Sequence, residues 1–133
     1  MKKQLVSKGD VGRSVMQASG VWAQCYRAGN LVFMTGQTAF TLEGDLVGVG
    51  DPERQTRQAL DNISTLMQRA GGSLKDVVKI VVYVTDRAYR AQVYPVIEEY
   101  FGELKPCSTG IVVKGLAREE LLVEIDAFGV IDD

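Results

Sequence analysis

A single apolar run, Val77–Val84 (VVKIVVYV), restricts the possible folds of this 133-residue chain more than any other stretch. In a β-strand, successive side chains point to opposite faces of the sheet. One face would carry Val78, Ile80, Val82 and Val84, and most of the other would carry Val77, Val81 and Tyr83. A strand that is apolar on both faces is typical of the centre of a sheet covered on both sides. We therefore predict that this run is the central strand.

Two helices are predicted, one before and one after this strand. The first starts at Asp51-Pro52-Glu53, because aspartate can cap the first turn and proline suits the first helical position. It ends at Gly71-Gly72, and its apolar residues recur at helical spacing. Those residues are Leu60, Ile63, Met67 and Ala70. The second helix is predicted over residues 88–101, with Asp86 as its cap and Gly102 at its end.

Further strands are predicted at both ends of the chain. Residues 22–26 and 31–35 form a predicted hairpin around Gly29-Asn30, since both turn residues tolerate positive φ. Residues 105–130 form a predicted final pair of strands joined by a short polar connection. The fold class is therefore α+β. Two helices can cover only one face of such a sheet, so we predict a homo-oligomer packed sheet to sheet, with ligand clefts between subunits.

The returning strand, residues 121–130, carries two carboxylates on one face. Alternation places Glu124 and Asp126 beside Leu122 and Phe128, opposite a wholly apolar face. Burial of an ionised carboxylate is costly unless the group is paired or hydrogen-bonded. Two interpretations stay open at this point. A carboxylate here caps a turn or sits at a solvated edge, or it faces a polar cleft where binding or chemistry occurs.

Composition excludes several classes of function. The length fits one domain over residues 1–133, and 15 Lys and Arg against 17 Asp and Glu leave a net charge of −2, which does not favour nucleic-acid binding. The chain has no histidine, and Cys25 and Cys107 match no zinc, redox or disulfide spacing, so no metal site is expected. No apolar run is long enough to span a membrane, and the first residues lack a signal-peptide core. A cytoplasmic location is expected.

Five segments in order resemble one known family. They are GVWAQ at 20–24, AGNLVF at 28–33, TGQ at 35–37, QTRQALDN at 55–62 and VEIDA at 123–127. Together they resemble the YjgF/RidA (reactive intermediate deaminase) family over nearly the whole chain. The resemblance implies a chorismate-mutase-like fold and a homotrimer with inward-facing sheets and three inter-subunit clefts. It also implies hydrolysis of reactive enamines and imines, such as 2-aminoacrylate, to 2-keto acids and ammonia without metal or organic cofactor.

The resemblance carries over two site residues. Glu124 falls at the family's glutamate, which is thought to position or protonate water near the imine carbon, and the Gly36 backbone falls beside it. We therefore expect Glu124 to be the catalytic group. The competing interpretation is a structural carboxylate that bonds to backbone amides.

Three positions depart from the pattern of the family's deaminases. In those deaminases an arginine in a Pro-Ala-Arg-Ser stretch holds the substrate carboxylate, and Ser108 takes its place here. Tyr94 replaces a frequent asparagine, and Trp22 replaces the usual tyrosine. If the fold carries over, Trp22, Tyr94, Cys107, Ser108 and Glu124 would line one cleft. Such a pocket would be more aromatic and less cationic, which favours a flat or conjugated ligand.

The remaining candidates have ordinary explanations as well. Cys107 is expected to line the pocket rather than act as a nucleophile, because no histidine exists to activate it. Ser108 could bond a ligand or simply satisfy a turn. A replacement cation could come from Arg87, Arg90 or Arg118, although each is expected to be a solvated surface arginine.

Three functions compete at this stage. The first is hydrolysis of an enamine or imine other than 2-aminoacrylate, such as a conjugated amino-muconate-like acid. The second is a non-catalytic trimer that binds small metabolites. The third, a ribonuclease or translation-inhibitor activity attached to some relatives, is disfavoured by the acidic charge balance and the missing histidine.

Overall fold

The computed structural model describes residues 2–7 and 22–132. The strands are β1 (Lys3–Ser7), β2 (Cys25–Ala28), β3 (Leu31–Met34), β4 (Val77–Val84), β5 (Cys107–Val112) and β6 (Val123–Val130), and the helices are α1 (Pro52–Arg69) and α2 (Arg90–Phe101). Short 3₁₀ turns cover Leu74–Asp76, Arg87–Tyr89 and Gly102–Leu104. None of the helices in this described part combines the length and apolar composition that a membrane span requires.

The six strands form one mixed sheet in the order β1-β2-β3-β6-β4-β5. Only the β4–β5 pair is parallel, because the chain crosses over through α2 between these two strands. The core lies between the sheet and the two helices. It contains Leu60, Ile63, Leu66 and Met67 from α1, Val93, Val96 and Ile97 from α2, and Ile80, Val82, Val84, Val123, Ile125 and Ala127 from the sheet. The predicted α+β fold with two helices on one face of the sheet is confirmed, and the sheet is mixed.

Local signals in the sequence set the ends of the elements. Asp51 accepts a hydrogen bond from the Arg54 N–H and caps α1, as predicted. Gly71 has φ +100°, a conformation that suits glycine and ends the helix. Gly29, with φ +58°, forms the tight turn between β2 and β3. Asp86 caps the 3₁₀ turn that precedes α2, so this helix starts later than predicted.

A β-bulge corrects the prediction for the central strand. β4 is central, but the pairing with β6 shifts register between Val77 and Lys79. The inserted residue changes the alternation, so Val77 joins the buried face and Val78 is 47% exposed. The prediction that Val78 lies with Ile80 was therefore wrong.

The predicted strand bounds need two further corrections. The strand predicted at 22–26 lies at Cys25–Ala28, because β2 and β3 stay paired right up to the two-residue turn at Gly29-Asn30. The two strands of 105–130 are not neighbours, because β4 lies between them and pairs parallel with β5 and antiparallel with β6. β6 itself has the predicted alternation, with its apolar face buried against the helices.

The sheet face opposite the helices, here called the open face, carries a row of large apolar side chains. One register line runs from Leu5 through Tyr26 and Phe33 to Phe128 on four adjacent strands. These side chains are exposed by 46%, 38%, 46% and 39%, respectively. An apolar row of this size is uncommon on a surface that faces only water.

Candidate functional site

The open face also carries two carboxylates at its centre. Glu124 and Asp126 are two residues apart on β6, so both side chains leave the sheet on the same side. The register places Tyr83 opposite Glu124 on β4. The Tyr83 hydroxyl donates a hydrogen bond of 2.8 Å to Asp126 Oδ2, which fixes the position of that carboxylate.

Gly36 lies against both carboxylates. The next residue, Gln37, exchanges two backbone hydrogen bonds of 2.8 Å with Ile125, the residue between the two acids. A Cβ at position 36 would collide with the carboxylates of Glu124 and Asp126. The absence of a side chain at Gly36 therefore allows the backbone to approach the pair closely.

Burial and the neighbouring charge both act on Glu124. Burial raises the pKa of the Glu124 carboxyl above its ordinary value, and the like charge of Asp126 raises it further. The hydrogen bond to Asp126 is the main cause of the raised pKa of Tyr83. Glu124 therefore keeps its proton to a higher pH than a free glutamate, which suits a group that donates a proton.

The competing interpretation of Glu124 is that its carboxylate has a structural role, and the structure does not support it. That interpretation requires the carboxylate to bond to backbone amides. No hydrogen bond joins the Glu124 side chain to any of the residues that the structure describes. A half-buried carboxylate without such a partner has its oxygens available for a ligand or a water molecule.

A second group of candidate residues lies on the other side of the sheet. Ser108 pairs with Ile80 and shares its face, so its side chain is on the helix side of edge strand β5. Tyr94 of α2 lies over the same strand, and a Cβ at Gly110 would touch its hydroxyl. Arg90 lies one helical turn before Tyr94, with its guanidinium carbon 4.4 Å from the ring centroid.

The other candidates occupy exposed positions near these two groups. Cys107 is exposed at the start of β5 and pairs with Lys79 on the open-face side. Trp22 is 41% exposed and precedes Ala23, whose carbonyl accepts a 2.6 Å hydrogen bond from the Thr35 hydroxyl. It therefore lies outside the core, in the same region as Gly36. Cys25 is buried in the core, and burial raises its pKa to about 11.

One chain does not bring all the predicted site residues together. Gly36 and Glu124 belong to the open face, whereas Ser108 and Tyr94 lie on the helix side, with β4 between β6 and β5. A single cavity that contains both groups would need a second copy of the chain. Within residues 2–7 and 22–132, no group of three or more His, Cys, Asp or Glu side chains is arranged to hold a metal ion.

Sequence reasoning missed three contributors to these groups. Asp126 was placed on the same face as Glu124 but was not assigned to the site. The sequence does indicate its effect, because a like charge two residues away on a strand lies on the same face and raises the pKa of its neighbour. The Tyr83 hydrogen bond depends on the β4–β6 register, which the sequence does not reveal. Arg90 was expected to be solvated, and only its spacing of four residues from Tyr94 indicated a contact.

Comparison with known proteins agrees with this geometry. The sheet order and the two helices on one face are those of the α+β domain of YjgF/UK114 structures. The sequence profile of the Endoribonuclease L-PSP family matches residues 12–131. A member of the YjgF/YER057c/UK114 family from Mycobacterium tuberculosis superposes with a TM-score of 0.83 at 32% identity, over 98% of this chain and 100% of that one. RidA from an Antarctic Psychrobacter gives a TM-score of 0.80 at 29% identity, over 96% and 100% of the two chains.

Two curated relatives are also similar in sequence. A RutC family protein of Pyrococcus horikoshii is 39% identical over 108 residues, which cover 81% of this chain and 85% of the relative. The 3-aminoacrylate deaminase RutC of Acinetobacter baylyi is 36% identical over 99 residues, which cover 74% of this chain and 78% of the relative. The chain therefore belongs to the YjgF/RidA family.

Proposed function

We propose that this protein hydrolyses a reactive or conjugated enamine or imine other than 2-aminoacrylate, with Glu124 as the acid/base group. One observation carries the proposal: a half-buried glutamate with a raised pKa lies beside a backbone that approaches it closely, and no described residue occupies its oxygens. The similarity to a 3-aminoacrylate deaminase supports the same class of reaction.

The chemistry needs one proton donor and one water molecule. An enamine takes a proton at carbon and becomes an iminium ion, and an imine reaches an iminium ion by taking a proton at nitrogen. Water then adds to the iminium carbon and gives up one proton, and the resulting amino alcohol releases ammonia and leaves a carbonyl. Protonated Glu124 donates to the substrate, and its carboxylate form takes a proton from the attacking water, so the group is regenerated. The histidine-free sequence leaves a carboxyl group with a raised pKa as a suitable alternative.

The assembly belongs to the same proposal. We infer a homotrimer in which the open faces pack inward, because the row from Leu5 to Phe128 is apolar and crosses four strands. In such an assembly the helix-side group around Ser108 of one subunit can face the Glu124 group of its neighbour. The cleft between subunits would then contain Trp22, Gly36, Tyr94, Cys107, Ser108 and Glu124. The aromatic members support a flat or conjugated substrate.

Ammonia release tests the proposed reaction. Imines are generated in situ from a panel of amino acids by an amino acid oxidase, and ammonia is measured with and without the purified protein. We expect the wild type to accelerate release from at least one imine and Glu124→Gln to abolish the acceleration. Glu119→Gln is the matched control, since Glu119 is an exposed glutamate in the loop before β6.

Two outcomes would count against the proposal. Equal ammonia release with and without protein across the panel would favour the non-catalytic metabolite-binding trimer. Full activity in Glu124→Gln would remove the assigned role of the glutamate while leaving the reaction class in place.

A further inference from the structure

The helix side of edge strand β5 holds an arginine in an unusual setting. We propose that Arg90, Tyr94, Ser108 and Gly110, here called the β5 groove, bind the carboxylate group of a small ligand. The first two residues come from α2 and the last two from β5.

Arg90 is held in place by its neighbours. Its guanidinium carbon lies 4.4 Å from the centroid of the Tyr94 ring, and Nη1 donates a 3.3 Å hydrogen bond to the Tyr94 hydroxyl. Stacking on an aromatic face fixes the plane of a guanidinium and reduces the freedom that it loses when it binds a ligand.

Gly110 allows this arrangement. A Cβ at position 110 would lie 2.8 Å from Arg90 Nη1 and 2.5 Å from the Tyr94 hydroxyl. Any larger residue would push both side chains off the strand. The guanidinium therefore rests directly on the backbone of β5, and a ligand bound to Arg90 would also meet that backbone.

The donors of the groove are available. No carboxylate pairs with Arg90 among the residues that the structure describes, and the Ser108 hydroxyl makes no hydrogen bond to any of them. Ser108 and Gly110 share the helix face and are about 7 Å apart along the strand. The serine hydroxyl and the guanidinium can thus both reach one small group placed between them.

The backbone of the edge strand adds further donors. The Val113 N–H donates to the Val84 carbonyl on β4. Because N–H directions alternate along a strand, those of Ser108 and Gly110 point to the opposite edge of the sheet, where none of the described strands pairs with β5. All of β5 is exposed, so a ligand can approach this edge.

The chemistry of these donors selects the ligand. A guanidinium presents N–H groups in a planar fork that matches the two oxygens of a carboxylate. The groove offers one fixed cation, one hydroxyl and outward N–H groups, and no acidic side chain belongs to it. If this protein is the proposed deaminase, the bound carboxylate belongs to its substrate, which is then an imino acid or another carboxylate-bearing imine. This identification of the ligand rests on the proposed function.

Binding of matched probes tests the groove. Pyruvate and its uncharged analogue pyruvamide are titrated into the full-length protein and followed by isothermal titration calorimetry or amide chemical shifts. The variants are Arg90→Gln, Arg90→Lys and, as a control, Arg87→Gln, since Arg87 is an exposed arginine three residues earlier. We expect the wild type to bind pyruvate more tightly than pyruvamide and Arg90→Gln to weaken pyruvate binding by about tenfold to hundredfold. Arg90→Lys should recover part of the loss, and Arg87→Gln should bind as the wild type does.

The result that would overturn the proposal is equal pyruvate binding by the wild type and Arg90→Gln, or no preference for pyruvate over pyruvamide. Absence of pyruvate binding by the wild type would overturn it too. Because Arg90 is exposed, circular dichroism should show that both of its variants stay folded. Binding dependent on Arg90 without any imine hydrolysis would refute the proposed function and leave the groove as a carboxylate site. Imine hydrolysis and pyruvate binding that are both unchanged in Arg90→Gln would refute the groove and leave the proposed function in place.

Discussion

Replacement of Gly36 by alanine should displace the Glu124 carboxylate while the protein stays folded. The new Cβ would collide with Glu124 and lie 2.6 Å from Asp126 Oδ1. The backbone cannot retreat easily, because Gln37 and Ile125 exchange two hydrogen bonds of 2.8 Å. Asp126 is also held, by Tyr83. Glu124, which no described residue holds by a hydrogen bond, must therefore move, and Asp126 must also shift away from the new Cβ.

The two consequences differ in size. A glutamate side chain can rotate to another rotamer at a cost of about 1 kcal/mol, the low end of the range for overpacking. Its carboxylate would then be displaced by an ångström or more, and a misplacement of about 1 Å can lower a rate by roughly 10²-fold. Since Asp126 must shift as well, we expect Gly36→Ala to lose roughly 1–3 kcal/mol of stability and most of its activity.

Urea denaturation and ammonia release measure the two quantities. Gly115→Ala is the control, since no described residue other than its two chain neighbours comes within 4 Å of a Cβ built there. It should change neither quantity appreciably. The double variant Gly36→Ala/Glu124→Ala should be no slower than Glu124→Ala alone, because both changes act through one carboxylate. Full activity in Gly36→Ala, or rate losses that multiply in the double variant, would refute this account of the site.

Three other predictions concern charge, assembly and packing. The raised pKa of Glu124 means that the folded state binds its proton more tightly, so the free energy of unfolding should fall as pH rises from the ordinary glutamate pKa of about 4.3 through the raised one. Urea titrations of Glu124→Gln should lack this part of the fall. Phe33→Asp places a charge in the apolar row and should reduce the mass measured by light scattering towards the 14.5 kDa protomer, whereas Val49→Asp, at a 69% exposed loop position, should not. Gln55→Ala removes three buried hydrogen bonds, two to carbonyls and one from the Leu122 N–H, and should cost roughly 2–4 kcal/mol in urea unfolding; a loss below 1 kcal/mol would contradict that role.

The fold was largely predictable because its signals are local. Three confirmed signals each depend on a few adjacent residues: the cap at Asp51, the turn at Gly29-Asn30 and the helix end at Gly71-Gly72. The bulge at Val78 was not predictable, since it depends on how β4 meets β6 rather than on either sequence alone. The insertion of β4 between the last two strands was missed for the same reason.

The candidate site was predictable only in part. Alternation alone placed Glu124 and Asp126 on one face, and the structure confirms that placement. The close approach of Gly36 requires the isolated bridge between Gln37 and Ile125, two residues far apart in the chain. Likewise, a list of charged residues cannot distinguish Arg90 from Arg87, because the difference is the glycine on β5 over which only Arg90 lies.

The position of Glu124 links the proposed chemistry to the proposed assembly. Its carboxylate belongs to the same face as the exposed Phe128, four residues further along β6. A neighbouring subunit that covered Phe128 would also remove water from around Glu124 and raise its pKa further, since burial is already the main cause of the shift. A dissociated protomer would keep the carboxylate pair but lose both this desolvation and the facing β5 groove. We therefore expect activity per chain to fall when the protein is diluted until it dissociates into monomers. If the site were complete within one protomer, activity per chain would not change on dilution.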